Sequence, residues 1–303
     1  GGALNAGAIT ADAREADATA ISLGSGAILG TLENSGTISA DVSSLTDYSA
    51  TALLIEAGAE LSELTNSGTI TASTFGAAAN AFAIRDLSNG LTDITNTGLI
   101  SAFHSIDGTE VDDVGVTRAI DLSASTQDIT LLQTLATPTD DGNSEDGIVS
   151  DDVVPPTLVG DVLFGSGNDT LTSTSGTIAG DIDFGLGDAI MTLSGTDFAG
   201  DVVFSDGDNA LSLNSLTFVG DIMFGGNSAN FNLTNTVFSG QIISAGELDS
   251  LTAIDTDLLF SEGTAAAMTT FSLTGDSLLQ VALDPHAIHS PATLTVTDTA
   301  TLG

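Results

Sequence analysis

The phrase GDVLF at residues 160–164 returns as GDIDF at 180–184, GDVVF at 200–204 and GDIMF at 220–224. A weaker copy, GQIIS, follows at residues 240–244. The first glycines of these phrases lie 20 residues apart without a slip. A fixed period of this length indicates a repeat architecture, in which each repeat is one structural unit stacked on the next.

The other positions of the period keep the same register. Apolar residues alternate with polar ones in short segments, as expected of strands with one buried face. Ser173 is the exception in the column that contains Leu193, Leu213 and Leu233. The clearest apolar columns are Phe164, Phe184, Phe204 and Phe224, then Leu171, Met191, Leu211 and Phe231, and finally Ile178, Phe198, Phe218 and Phe238.

Twenty residues accommodate three short strands and three turns. A long α-helix does not fit, because Gly, Ser and Thr abound and no helical period is present. A propeller blade needs about 40 residues. We therefore predict an all-β protein, a right-handed single-stranded parallel β-helix with three short strands per coil. Gly167, Gly187 and Gly207, with Asn227 in the fourth coil, tolerate positive φ and predict a tight turn.

The N-terminal part has a looser period. NSGTI at residues 34–38 and 66–70 is followed by NTGLI at residues 96–100, and the glycines of successive phrases are 32 and 30 residues apart. Asn34, Asn66 and Asn96 are predicted to stack as a ladder, in which the side-chain amides bond one another along the coil axis.

One continuous solenoid with four segments is predicted. Residues 1–135 contain coils of about 30 residues, and residues 157–246 contain the coils with the period of 20. Between them, residues 136–156 are predicted to form an acidic, proline-containing loop insertion. Residues 247–303 are predicted to form irregular C-terminal coils.

The composition limits the partners. The chain has 303 residues, of which 41 are acidic and three are basic, so its net charge is −38. This charge disfavours binding to nucleic acid or anionic membrane surfaces. Disorder is disfavoured because 42% of the residues are hydrophobic. No apolar run of about 20 residues is present, so we expect no direct insertion into a bilayer. Without cysteine there is no disulfide framework.

Taken together, these phrases are similar to the passenger domains of bacterial autotransporters, the type V secretion family. The resemblance rests on the NSGTI phrases, on the GDV and GDI phrases from Gly160 onward, and on SLLQVALDP, LTVT and ATLG at residues 277–285, 294–297 and 300–303. It implies secretion by a Gram-negative bacterium through a C-terminal translocator barrel in the full-length chain. It also implies display at the cell surface or release, with roles in adhesion, aggregation or biofilm.

We therefore expect a non-catalytic extracellular β-helix that acts as an adhesin or matrix component. Its partner would be a second copy of the chain, a host surface or a glycan surface. A self-assembling subunit of a surface layer or extracellular filament is the alternative. A polysaccharide-degrading enzyme is the third candidate, since some β-helices have that activity. Such an enzyme would need paired carboxylates in a groove, commonly with Arg or Lys side chains that hold an acidic sugar. The only basic residues of the chain are Arg14, Arg85 and Arg118.

Metal binding has one candidate set, with Ca²⁺ as the only candidate cofactor. A column of carboxylates about 4.8 Å apart repels by about 0.9 kcal/mol per contact in water and about 3.5 kcal/mol at an effective dielectric constant of 20. Solvent screening or calcium would relieve this repulsion. The column consists of Asp161, Asp181, Asp201 and Asp221. His104, His286 and His289 are too scattered for a metal site.

The phrase FGSGNDTL at residues 164–171 is similar to the calcium-binding nonapeptide repeat. Those sites need the motif to recur every nine residues, so that consecutive turns share each ion. Here the period is 20, and Asp169 is followed one period later by Ala189. We therefore interpret this phrase as a glycine turn with a solvated Asp169.

Overall fold

The computed structural model describes residues 1–44, 47–76, 78–104, 115–137, 153–226, 228–262, 264–281 and 293–303. Within these ranges the chain forms 31 strands and no helix, and neighbouring strands pair in parallel. Equivalent residues of successive coils lie side by side. The predicted parallel β-helix is therefore confirmed, and its right-handedness stays a prediction.

The chain forms two compact units. Unit 1 comprises Gly1–Ile120, Leu131–Gly160 and Thr174–Thr177. Unit 2 comprises Asp121–Thr130, Asp161–Ser173 and Ile178–Gly303. The predicted loop at 136–156 falls largely outside the described residues, and the division into four segments of one continuous solenoid stays a prediction.

Unit 1 has three strands in each coil, and each strand pairs with the strand three places later. The pairings give the series β1–β4–β7–β10, β2–β5–β8–β11–β14 and β3–β6–β9. The strands of this part are β1 (Gly2–Asn5), β2 (Ala8–Ala13), β3 (Ala18–Leu23), β4 (Ile28–Asn34), β5 (Thr37–Val42), β6 (Ala50–Ile55), β7 (Glu60–Asn66), β8 (Thr69–Thr74), β9 (Ala81–Asp86), β10 (Asp93–Asn96), β11 (Leu99–His104), β12 (Thr117–Asp121), β13 (Thr130–Gln133) and β14 (Thr157–Val159).

Unit 2 repeats the same arrangement at the shorter period. Its series are β15–β18–β21–β24–β27, β16–β19–β22–β25–β27 and β20–β23–β26–β28–β30. The strands are β15 (Asp161–Leu163), β16 (Asp169–Ser173), β17 (Gly176–Ala179), β18 (Ile182–Asp183), β19 (Ala189–Ser194), β20 (Thr196–Ala199), β21 (Val202–Phe204), β22 (Asn209–Asn214), β23 (Thr217–Val219), β24 (Ile222–Phe224), β25 (Ala229–Thr234), β26 (Val237–Gly240), β27 (Ile242–Ile254), β28 (Asp257–Phe260), β29 (Ala265–Thr274), β30 (Leu278–Val281) and β31 (Thr293–Leu302).

The last coils differ from the prediction of three short strands. β27 is 13 residues long and replaces two strands of the preceding coil, because it pairs with both β24 and β25. β29 and β31 continue this pattern, with 10 residues each. The register shifts between Ile243 and Glu247 where β27 pairs with β29. A bulge therefore stands where earlier coils have a turn.

Glycine is required at two corners of the 20-residue coil. Gly200 has φ +153°, and a Cβ there would lie 2.1 Å from the Gly180 carbonyl oxygen of the preceding coil. At the other corner, Gly187 (φ +100°) and Gly207 (φ +94°) confirm the predicted tight turn. Gly167 lacks a positive φ, but a Cβ there would meet the Gln127 carbonyl oxygen at 2.1 Å. Asn227 of this column lies outside the described residues.

Phenyl rings form two stacks inside unit 2. Phe184 lies 4.9 Å from the ring centroids of both Phe164 and Phe204, with nearly parallel planes. The second stack joins Phe198, Phe218 and Phe238. Because these rings are almost fully buried, they contribute both apolar burial and stacking.

Ser173 fits the core in spite of its polarity. Its side chain is fully buried, and its hydroxyl lies 2.8 Å from the hydroxyl of Thr196. The one polar residue in the leucine column is thus satisfied by a hydroxyl from the next coil.

A buried ladder of amides runs through unit 1, as predicted. The Nδ2 of Asn34 donates to Oδ1 of Asn66 at 2.7 Å, and Asn66 donates to Asn96 at 2.9 Å. The ladder also extends beyond the prediction, because Asn5 donates to Asn34 and Asn96 donates to Gln133. Each amide thereby finds a partner in the neighbouring coil.

Close packing explains the rest of the NSGTI phrase. A Cβ at Gly36 would lie 2.0 Å from the Gly7 carbonyl oxygen, and one at Gly68 would lie 2.0 Å from that of Gly36. The isoleucines Ile38, Ile70 and Ile100 are fully buried. In this repeat, asparagine forms the amide ladder, glycine allows close approach of the neighbouring backbone, and isoleucine fills the core.

No helix in the part of the chain that the structure describes is long and apolar enough to cross a membrane.

Candidate functional site: two polar columns and a groove

The four aspartates of the predicted column lie in successive coils, and their carboxylates accept backbone N–H groups. Oδ1 of Asp161 accepts the N–H of Asp181 at 3.1 Å, and Oδ1 of Asp181 accepts that of Asp201 at 2.8 Å. Asp201 repeats the bond with the N–H of Asp221, and Asp221 with that of Gln241. We call this set the first polar column. Each aspartate satisfies a corner amide of the next coil, where the turn leaves an N–H without a strand partner.

A second polar column has the same geometry at another corner. Oδ1 of Asp128 accepts the N–H of Asn168 at 2.7 Å. Oδ1 of Asn168 then accepts the N–H of Asp188 at 2.9 Å, and Asp188 accepts that of Asp208 at 2.8 Å. This column was not predicted from the sequence. Its signal was present, because Asn168, Asp188 and Asp208 share the 20-residue period.

A shallow groove of about 390 Å³ follows the second polar column. Outward residues of β16, β19, β22 and β25 line it, together with the turns before these strands. The lining residues include Asn168, Asp188, Asp208, Ser228 and Asn230. Asp188 and Asp208 bring two exposed carboxylates to this groove, and Asp169 also lines it. The rest of the lining consists of uncharged polar groups and of the apolar Ile190 and Ala210.

Asp169 begins β16 beside this groove, and its side chain was predicted to be solvated. That prediction is wrong, because the residue is only 1% exposed. It lies on the same face of the strand as Leu171 and Ser173, since side chains alternate along a strand. Burial raises the pKa of its carboxyl to about 6, and the nearby Asp128 carboxylate acts in the same direction. The Ile129 N–H, which donates to Oδ1 at 2.9 Å, opposes the shift.

A carboxyl with a raised pKa beside a groove is a feature of many active sites. The geometry at Asp169 does not suit that chemistry. Its Oδ1 already accepts the Ile129 amide, and its Oδ2 is buried, so neither oxygen faces a molecule in the groove. A general acid must reach the atom that it protonates. Asp169 in this conformation is therefore a poor candidate for glycoside hydrolysis.

Metal binding at the first polar column stays a prediction. Among the described residues, no three His, Asp or Glu side chains converge closely enough to hold an ion. The amide bonds to Oδ1 also explain why aspartate recurs at Asp161, Asp181, Asp201 and Asp221 without invoking calcium. Calcium would have to bind through the remaining carboxylate oxygens and water.

Other candidate residues are spread over the fold. His104 lies on β11, where its Nδ1 is 3.0 Å from the Thr74 hydroxyl, and burial lowers the pKa of its imidazole. His286 and His289 lie outside the described residues. The Arg85 guanidinium carbon lies 4.5 Å from the ring centroid of Phe82. None of these described groups lines the groove.

Comparisons of the chain with protein-family models, with curated proteins and with solved structures found no match. The resemblance to autotransporter passengers therefore stays a prediction that rests on the repeats.

Proposed function

We propose that this chain is a non-catalytic extracellular β-helix that a bacterium displays or secretes as an adhesin or as a structural component of a matrix. The observation that carries the proposal is the regular stacking of coils. A parallel β-helix presents the same outward positions at each coil, about 4.8 Å apart, and so offers extended polar faces.

The use of the polar residues supports a structural role. The first polar column, the second polar column and the amide ladder all bond neighbouring coils. The Asp and Asn side chains of these sets thus form hydrogen bonds that stabilise the coil, as expected of a scaffold. The resemblance of the NSGTI and GDV phrases to autotransporter passengers supports placement at the surface of a Gram-negative cell, after translocation through an outer-membrane barrel.

Surface display tests this proposal. The chain would be fused to an outer-membrane anchor in a non-adherent bacterial host, and attachment and cell–cell aggregation would be measured. We expect attachment to a host or glycan surface, or aggregation, above that of cells that carry the anchor alone. A matched control is Phe204→Asp, which places a charge in the core and should abolish the effect at equal surface amounts.

The alternatives give different results in the same preparation. Regular fibres of the purified chain in negative stain would replace the proposal with a filament or surface-layer subunit. Release of sugars from a polysaccharide panel would replace it with an enzyme. Absence of attachment, aggregation, fibres and sugar release would contradict the proposed adhesive or matrix role.

A further inference from the structure

The buried carboxyl of Asp169 has no described use in the proposed function. Its Oδ1 accepts the Ile129 N–H, which lies 40 residues earlier in the chain, and so bonds one coil of unit 2 to the preceding one. Among the described residues its Oδ2 has no hydrogen-bond partner, although it is buried. A buried polar oxygen without a partner is costly and requires an explanation.

Asn209 shows what that atom can do. It occupies the position of Asp169 two periods later in unit 2, and Ala189 occupies it between them. Its Oδ1 accepts the N–H of Ala189 at 3.1 Å, as Oδ1 of Asp169 accepts that of Ile129. Its Nδ2 donates to the carbonyl of Gly207, two residues earlier, at 3.2 Å. The amide therefore uses both its acceptor and its donor.

An aspartate at this position has the acceptor but carries a donor only when it is protonated. The neutral acid carries a hydroxyl donor that corresponds to the Asn209 amide, and Gly167 precedes Asp169 by two residues, as Gly207 precedes Asn209. In the carboxylate, the same oxygen brings a buried negative charge instead. The two protonation states thus differ in whether the side chain at this corner of the coil carries a hydrogen-bond donor or a buried negative charge.

Among the residues that the structure describes, no positively charged group acts on the pKa of the Asp169 carboxyl. The neighbouring charged groups are Asp128, before β13, and Asp188, before β19, and both are acidic. No Lys or Arg follows Arg118 in the sequence, so unit 2 contains none. Burial and Asp128 raise the pKa of Asp169 to about 6.

We propose that Asp169 is a proton-dependent contact between coils of unit 2. As a neutral acid it stabilises the packing of the coils, and when it ionises it destabilises that packing. The sign follows from linkage. The folded chain holds the proton more tightly than the unfolded chain, whose aspartate has a pKa near 3.8. The stabilisation is therefore fully present below the unfolded pKa and is lost as the pH rises through about 6.

Urea unfolding of Asp169→Asn between pH 4 and pH 8 tests the proposal. The variant keeps the acceptor and supplies a permanent donor. We expect its folding equilibrium constant to exceed that of the wild-type chain by about a hundredfold at pH 8 and to approach it near pH 4. Asp197→Asn, at an exposed aspartate of the same unit, is the control and should show no such dependence. A difference that is constant with pH would overturn the proposal.

Two further measurements cover the case in which Asp169→Asn does not fold. Asn209→Asp should create a second contact of the same kind, with stability lost at pH 8 and regained near pH 4. In the wild-type chain, the carbon-13 resonance of the Asp169 carboxyl should titrate near pH 6. Titration near the ordinary value of an exposed aspartate would overturn the proposal.

Discussion

The two units share the parallel coil but fix its register by different means. Unit 1 has one buried amide ladder, and its coils vary in length around that corner because the loops elsewhere are free to differ. The coils of unit 2 that keep the 20-residue period fix several corners each, through the phenyl stacks, the two polar columns and the glycine turns. The constant period of 20 between Gly160 and Gly240 is the consequence. One hydrogen-bonded corner in each coil is enough to align neighbouring coils, whereas several such corners are needed to give the coils equal length.

The largest expected effect comes from the phenyl stack. Phe204→Ala removes a fully buried ring between Phe184 and Phe224, so we expect a loss of about 3–5 kcal/mol in the free energy of unfolding of unit 2. Urea denaturation would measure it. Leu186→Ala is the control, because Leu186 is 52% exposed and should change stability by less than about 0.5 kcal/mol. Equal effects of the two variants would contradict the stacked core.

The amide ladder of unit 1 should give the next effect. Asn66→Ala removes the buried amide that accepts from Asn34 and donates to Asn96. The Asn34 Nδ2 then keeps only the Thr69 carbonyl, and the Asn96 Oδ1 keeps only the Gly98 N–H. We expect a loss of about 2–3 kcal/mol, measured in the same way, because two buried polar groups lose partners. Asn230→Ala is the matched control, since Asn230 is exposed and accepts a bond from Ser250 only at the surface. A loss no greater than that of the control would show that the ladder contributes little.

The first polar column should give a smaller effect that depends on the substituent. Asp201→Ala removes the acceptor of the Asp221 N–H, so we expect a loss of about 1 kcal/mol. Asp201→Asn keeps an oxygen at that position and removes one charge from an acidic column, so its stability should equal or exceed that of the wild-type chain. If both variants lost the same amount, the negative charge itself would be required, which would favour a bound cation.

Calcium should have the smallest effect. Because the Oδ1 atoms already accept backbone amides, an ion has only outer oxygens and water to bind. We expect millimolar calcium to raise the melting temperature by about 1–2 °C above sodium chloride of equal ionic strength. The double variant Asp181→Asn, Asp201→Asn should lose this increment. A melting temperature that chelator leaves unchanged would remove the calcium prediction.

Much of this fold could be predicted because identical side chains recur at a constant interval. Phe184 and Asn66 appear in columns whose members can meet only if coils stack. The fused strand β27 was not predicted, since it takes the place of two strands of the preceding coil and its buried residues do not alternate regularly, as Leu248 and Leu251 show. The burial of Asp169 was missed because its charge suggested solvent. Its alternation with Leu171 indicated the core, and the pattern alone could not show that burial would raise its pKa.

The register between coils is the central claim, and disulfide formation tests it directly because the chain has no cysteine of its own. Thr192 on β19 pairs with Ser212 on β22, and both side chains are half-exposed. We expect the Thr192→Cys, Ser212→Cys chain to form its disulfide on mild oxidation, since paired neighbours lie about 4.8 Å apart. Thr192→Cys with Asn214→Cys, whose Cα atoms are about 8 Å apart, should not. Cross-linking of the second pair in preference to the first would contradict the stacked coil.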